Sequence, residues 1–208
     1  MKLTNLIFSF FCLLLPLGAQ HTFSIVAIDV ETGKVGSAGA TCLTSADCGG
    51  CGGAVIISDL VPGKGAINAQ ATVCIPNTNL NNGIQQLTNG ADATSTLSWL
   101  IANDACQFGN STNRQYGIVS LDPMGMVDAK GYTGISCLAE AGHRVGPNYS
   151  IQGNILIGEH VLDSMEANFL NASGSLEEKL MAAMQGANIP GADSRCLLDG
   201  ISSKSSFL

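Results

Sequence analysis

The residues best suited to chemistry in this 208-residue chain fall in a few short stretches. The segment His21-Thr22-Phe23-Ser24 places a hydroxyl at the head of an alternating run. If Thr22 became the first residue of a mature chain, its own α-amine, with a pKa of about 7.7–8.0, would serve as the base for its hydroxyl. With His21 still attached, that amine is locked in a peptide bond and the imidazole is the base at hand. The structural alternative is a polar residue that simply begins a β-strand.

A second candidate is His143, flanked by Gly142 and Arg144 in AGHRVG. That setting suits a ring at a loop or strand end beside a cleft, where it could act as base, as ligand or as a structural group. Gln152 and Asn154 alternate around Gly153 in YSIQGNIL, so in an extended chain both amides share one face. They could read a polar ligand or satisfy buried backbone groups. Gln70 and Asn68 share a face of GKGAINAQA in the same way. Asp193 and Arg195, two apart in GADSRC, suit an ion pair or a carboxylate-binding arginine. Thr22 and His143 are thus the catalytic candidates, and Gln70, Gln152, Asn154, Asp193 and Arg195 the binding candidates.

These residues need rigid elements to position them. Residues 22–28 and 35–41 read as a hairpin around Glu31-Thr32-Gly33-Lys34, and residues 54–58 and 66–74 as two more strands. The period then changes. Leu80, Ile84 and Leu87 mark one helix, and Asp92 caps a second carrying Leu97, Leu100 and Ile101. Strand character returns at 115–121, 125–129, 133–137 and 149–155. Two further helices follow: one with Val161, Leu162, Met165 and Phe169 on a face, the other opening on the capping box Ser175-Leu176-Glu177-Glu178. Grouped strands alternating with helix pairs indicate a layered α+β fold rather than a doubly wound parallel sheet.

The first twenty residues hold one charge, Lys2, an apolar run LIFSFFCLLL, a proline and then small residues. This is the pattern of a secretory signal peptide, and the apolar run is too short for a membrane anchor. Residues 21–208 then form a single domain, exported to the periplasm or the medium. The last residues, 205–208, read as a strand cut short, which leaves room for a natural chain extending beyond Leu208. Loss of Lys2 takes the formal charge from -7 to -8, a balance that argues against nucleic acid as partner. Only 12% of residues are charged, so a homo-oligomer is compatible with the weakly charged surface. The residues call for no cofactor.

Seven cysteines remain after residue 20: Cys42, Cys48, Cys51, Cys74, Cys106, Cys137 and Cys196. In an exported chain the simplest reading is disulfides with one thiol left over. The cluster Cys42, Cys48 and Cys51 also keeps zinc open, although His21, His143 and His160 lack finger-like spacing.

Taken together, HTFSIVAIDVETGKVGSAGA, GKGAINAQA, RQYGIVSLD, AGHRVG, YSIQGNILIG and GADSRC resemble, in order and spacing, the domain of unknown function 1028 family. The resemblance covers nearly all of the chain from Thr22 onward. It implies an αββα sandwich, two antiparallel sheets between helix layers, of the N-terminal nucleophile hydrolase type. It also implies Thr22 at the head of the first strand. The function expected on that fold is hydrolysis of an amide bond in a small polar molecule or peptide, with a non-catalytic small-ligand-binding protein on the same fold as the alternative. Lys34 falls at a hairpin turn, so no lysine matches the one that assists the threonine in proteasome-like relatives.

Overall fold

In the computed structural model the described residues are 19–20, 22–106 and 109–208. Residues 1–18 of the expected leader, and His21, lie outside them, whereas its last two residues, Ala19–Gln20, are described.

Two antiparallel five-stranded sheets face each other. The first is built on β5 (Gly65–Thr72), which is bordered on one edge by β1 (Ala19–Gln20) and β4 (Ser58–Val61), and on the other by β6 (Arg114–Leu121) and then β7 (Val127–Thr133). The second is centred on β2 (Thr22–Ile28), between β3 (Val35–Thr41) and β9 (Tyr149–Gly153). Its edges are β8 (Gly142–Val145) and β10 (Ser205–Phe207).

The helices cover the two outer faces. Ile67, Ala69, Tyr116 and Ile118 pack under Leu80, Leu87, Ala93 and Leu100 of α1 (Thr78–Thr88) and α2 (Ala93–Ala102). Phe23, Ile25, Ala38 and Ile151 pack under Val161, Leu162, Met165 and Leu180 of α3 (His160–Asn171) and α4 (Leu176–Gly186). Each such fully buried aliphatic side chain contributes about 1.5–3 kcal/mol. The order of layers is therefore helix, sheet, sheet, helix, as expected for the α+β sandwich. Three helices start on side-chain caps: Asn77 accepts from Leu80 N, Asp92 from Ser95 N, and Ser175 with Glu178 forms the reciprocal box.

β2 is buried along its whole length because both faces are covered. Its odd residues meet α3 and α4. Its even residues, Thr22, Ser24, Val26 and Ile28, face the other sheet. The layer between the sheets is split lengthwise. Val26, Ile28, Ala66, Val119 and Ala129 fill one end with hydrocarbon, whereas the end containing Thr22 is filled with amides and hydroxyls.

Local readings differ from the sequence expectation in three places. Residues 54–58 are mostly a 3-10 turn, Gly53–Ile57, because Gly52 and Gly53 have φ of 99° and 71° and curl the chain before β4 begins. The strand expected at 133–137 ends at Thr133, since Gly134 N donates to Arg114 O and Cys137 N to Gly134 O, closing a turn. The GHRV stretch around His143 is β8.

The cysteines pair as Cys42–Cys196, Cys48–Cys51 and Cys74–Cys106, and Cys137 is the unpaired cysteine among the described residues. The pairing divides the Cys42, Cys48 and Cys51 cluster between two disulfides, so those sulfurs are not the thiolates a zinc site needs. Cys42, Cys196 and the carboxylate of Asp199 do lie together, but there too both sulfurs are spent in a disulfide.

Candidate functional site

Thr22 is the first residue of β2, in the middle of its sheet and 1% exposed. Its backbone is held from two directions. Gln70 on β5 reaches across from the other sheet and donates Nε2 to Thr22 O at 3.0 Å, and Asn154 N donates to the same oxygen at 3.1 Å. Its hydroxyl Oγ1 is buried without a hydrogen-bond partner. A buried hydroxyl left this way costs about 1–3 kcal/mol, so the position asks for an explanation.

Around Thr22 the amides form one continuous network. Ser24 Oγ donates to Gln70 Oε1 at 2.6 Å and accepts from Gln152 Nε2 at 2.6 Å. Gln70 Nε2 also donates to Gln115 Oε1 at 2.8 Å, and Asn154 Nδ2 to the same oxygen at 3.1 Å. Gln115, fully buried on β6, in turn gives Nε2 to Gly153 O, Gly142 O and Thr133 Oγ1 at 2.8–3.0 Å. Glycine makes the network possible at Gly117, because a Cβ there would collide with the Gln152 amide. Among the described residues two that are not glycine adopt left-handed backbone, Ala71 at φ 72° and Ile155 at φ 50°. Each directly follows an amide that holds Thr22, and such conformations cost about 1–3 kcal/mol unless the surroundings enforce them.

At the rim of the network lies His143. Its Nδ1 is 2.9 Å from Thr133 Oγ1. That oxygen also accepts from Gln115, so the ring is tied to the amide network through Thr133. Partial burial of the ring, reinforced by the charge of Arg144, holds the His143 pKa below its ordinary value of 6.5. The ring fits over Gly131, where a Cβ would come 2.6 Å from Cδ2. His143 is nevertheless exposed and lines an open cleft of about 540 Å³ with Thr133, Cys137, Glu140 and Arg144. Burial raises the Cys137 thiol, and its Sγ donates to Arg114 O at 3.3 Å, so this cysteine rests as a thiol. Arg144 turns to the other face and pairs with Asp163 at 2.7 Å.

On the other side of Thr22, its cross-strand neighbour is Thr41. Thr41 Oγ1 accepts from Arg195 Nη2 at 3.1 Å. Asp193, with no exposure, accepts from Arg195 Nη2 at 2.6 Å, Arg195 Nε at 3.0 Å and Cys42 N at 2.7 Å. The pair does not sit on an extended chain. Asp193 caps the 3-10 helix Ser194–Asp199, and the turn brings Arg195 back onto the carboxylate. Arg195 keeps 27% of its side chain exposed.

The structure thus gathers Thr22, Gln70, Gln152 and Asn154 into one network, reaches His143 through Gln115 and Thr133, and brings Asp193 and Arg195 up through Thr41. Asn68 belongs to a separate cluster further along, with Ser37 and the carbonyl of Ile25. The sequence reading missed Ser24, Thr41, Gln115 and Thr133. Ser24 and Gln115 carried a usable signal, since alternation places Ser24 on the face of Thr22, and Gln115 is a polar residue opening the strand read at 115–121. The larger groove, about 570 Å³ and lined by Lys34, Leu60, Pro62, Leu176 and Leu180, opens at the opposite, hydrocarbon end and does not touch this network.

Comparison with known proteins agrees with the geometry. The crystal structure of protein SPO2555 from Silicibacter pomeroyi, itself described as DUF1028, superposes with a TM-score of 0.64 at 23% identity, over 80% of this chain and 69% of that one. At that identity the likeness is one of fold. No curated protein matches. The profile of the family of unknown function DUF1028 matches residues 22–205, beginning at Thr22 itself, and the chain belongs to that family.

Proposed function

We propose that this chain is an exported amidohydrolase of the N-terminal nucleophile type, in which cleavage of the bond between residues 21 and 22 frees Thr22 as nucleophile. The observation that carries the reading is the buried, unpartnered Thr22 Oγ1 at the head of the central strand, on a backbone clamped by Gln70 and Asn154. The newly exposed α-amine takes the hydroxyl proton as Oγ1 attacks an amide carbonyl. The departing amine carries that proton away and leaves an acyl ester on Thr22. A water then hydrolyses the ester and releases the carboxylic acid. Gln70, Gln152 and Asn154 spend their amide hydrogens on Gln115, on Ser24 and on backbone, so they fix the nucleophile's strand. His143, exposed on the cleft, contacts the substrate as proton donor or acceptor, and the exposed part of the Arg195 guanidinium, held by Asp193, donates to a substrate carboxylate. The substrate class is an amide of a small polar molecule or a peptide.

A second reading has one observation in its favour. Among the described residues no lysine hydrogen-bonds into the network around Thr22, which suits a protein that binds a small ligand on the same fold without turning it over. The intact mass of the exported protein and its hydrolysis of a panel of small amides and dipeptides separate the two. A chain starting at Thr22, with hydrolysis abolished by Thr22→Ala, supports the enzyme. A stable start at Gln20 or His21, with hydrolysis absent or indifferent to Thr22→Ala, removes it.

A further inference from the structure

The loop leaving β3 carries Cys48-Gly49-Gly50-Cys51, closed as a disulfide over two residues. We propose that this pair is a thiol–disulfide exchange site that oxidises exposed dithiols, a role independent of Thr22.

Three features separate it from the other two bridges. First, the stabilisation a disulfide gives grows with the loop it closes. Cys42–Cys196 spans 154 positions and Cys74–Cys106 spans 32, but Cys48–Cys51 spans 3. Second, the loop is held without it. Asp47 Oδ2 accepts from Thr44 N and Oγ1 at 2.7 Å, Ser45 Oγ accepts from Gly52 N at 3.0 Å, and Gly50 N donates to Ser45 O at 2.8 Å. At the loop's base Ser205 Oγ donates to Leu43 O and accepts from Ala54 N. The bridge can therefore open while the loop keeps its shape. Third, it is accessible. Neither Cys48 nor Cys51 is buried, and a Cβ at Gly49 or Gly50 would meet nothing within 4 Å, so a second thiol can approach. Cys42 and Cys196, by contrast, are buried. Exposed bridges of this kind are the reducible ones.

Carbonyl oxygens lie within reach of both sulfurs, Cys48 Sγ at 3.3 Å from Ser45 O and 3.5 Å from Thr44 O and Cys51 Sγ at 4.0 Å from Gly53 O, so each thiol finds an acceptor once the bridge opens. A thiolate of the incoming dithiol attacks one sulfur of the bridge and forms a mixed disulfide, while the other departs as thiolate and takes a proton. The substrate's second thiolate then attacks its own sulfur in the mixed disulfide and expels the remaining protein sulfur, which takes the second proton. The substrate loses two electrons and two protons, and the Cys48–Cys51 pair gains both.

The test mixes the oxidised full chain, without oxygen, with a synthetic peptide carrying two reduced cysteines. We expect peptide disulfide in a yield equal to the protein added, with alkylation placing the new thiols at Cys48 and Cys51. In Cys48→Ser/Cys51→Ser, whose loop keeps its other hydrogen bonds, peptide oxidation falls to the level of buffer. A peptide that stays reduced, new thiols at Cys42, Cys196, Cys74 or Cys106 instead, or a double variant that oxidises as fast as the native chain overturns the proposal. The alkylation map of the native chain decides on its own should the variant fail to fold.

Discussion

Gln70 donates its side-chain amide to the carbonyl oxygen of Thr22 across the gap between the sheets, at 3.0 Å. The first peptide unit of β2 is thereby fixed by a side chain from the opposite sheet, while the hydroxyl of the same residue has no hydrogen-bond partner. Position is specified where the proposed nucleophile would need it, and its hydroxyl is left uncommitted.

That contrast separates stability from activity at Thr22. Replacing it by the isosteric valine removes a buried hydroxyl that makes no hydrogen bond, so Thr22→Val leaves stability unchanged or raises it by about 1 kcal/mol in urea unfolding. Under the proposed function the same variant loses amide hydrolysis. A loss of several kcal/mol would mean that the hydroxyl holds structure.

Gln115 is the hub. Gln115→Ala leaves Asn154 Nδ2 without its acceptor and Gly142 O and Gly153 O without that donor, at about 1–3 kcal/mol for each orphaned buried group. Chemical denaturation should show a loss at the upper part of that range or beyond, and amide exchange should quicken at Asn154. His143 loses its ordered partner too, since Thr133 no longer receives the Gln115 hydrogen bond.

Asp193 is fully buried and Arg195 only partly so. Asp193→Asn keeps the shape but strips the charge that offsets the guanidinium, and the loss expected on breaking such a pair is about 3–5 kcal/mol at the buried limit. Partial exposure of Arg195 places the expected cost below that limit, and thermal denaturation of the variant reads it.

Histidine titration gives a pH signature. The folded pKa of His143 is lowered, so between that value and 6.5 the unfolded chain binds the proton more readily than the folded one. Its contribution to stability is full above pH 6.5 and is lost as pH falls through that window. Denaturation midpoints should decline on acidification below about 6.5, and the decline should shrink in His143→Gln. Arg144→Gln removes one of the two causes, so NMR titration of the ring in that variant should move the pKa upward.

The helices were legible in the sequence because their signals are local: Asp92 and Ser175 cap where spacing placed them, and the apolar faces are those of the 3.6-residue period. The alternation read at 149–155 likewise put Gln152 and Asn154 on one face. What could not be read was which faces meet. Gln115 becomes the hub only when β6 is laid opposite β2 and β9, and Thr41 gains its meaning from its pairing with Thr22 and from an arginine 154 positions away. The disulfide partners were hidden for the same reason. The curl at Gly52 and Gly53 was missed because β-prone Val55 and Ile56 outweighed the glycines in a reading by composition.

The division of the inter-sheet layer into a hydrocarbon end and an amide end has a calorimetric consequence. Ser24, Asn68, Gln70, Gln115, Ser150, Gln152 and Asn154 are each 2% exposed or less. On unfolding, polar surface lowers the heat capacity by about 0.26 cal/K/mol per Å², against a rise of about 0.45 for apolar surface. A sandwich that hides so many amides therefore has a smaller heat-capacity increment than one with an all-aliphatic interior of the same size. Its free energy of folding bends less with temperature, keeping the clamp on Thr22 nearly as firm in the cold as in the warmth.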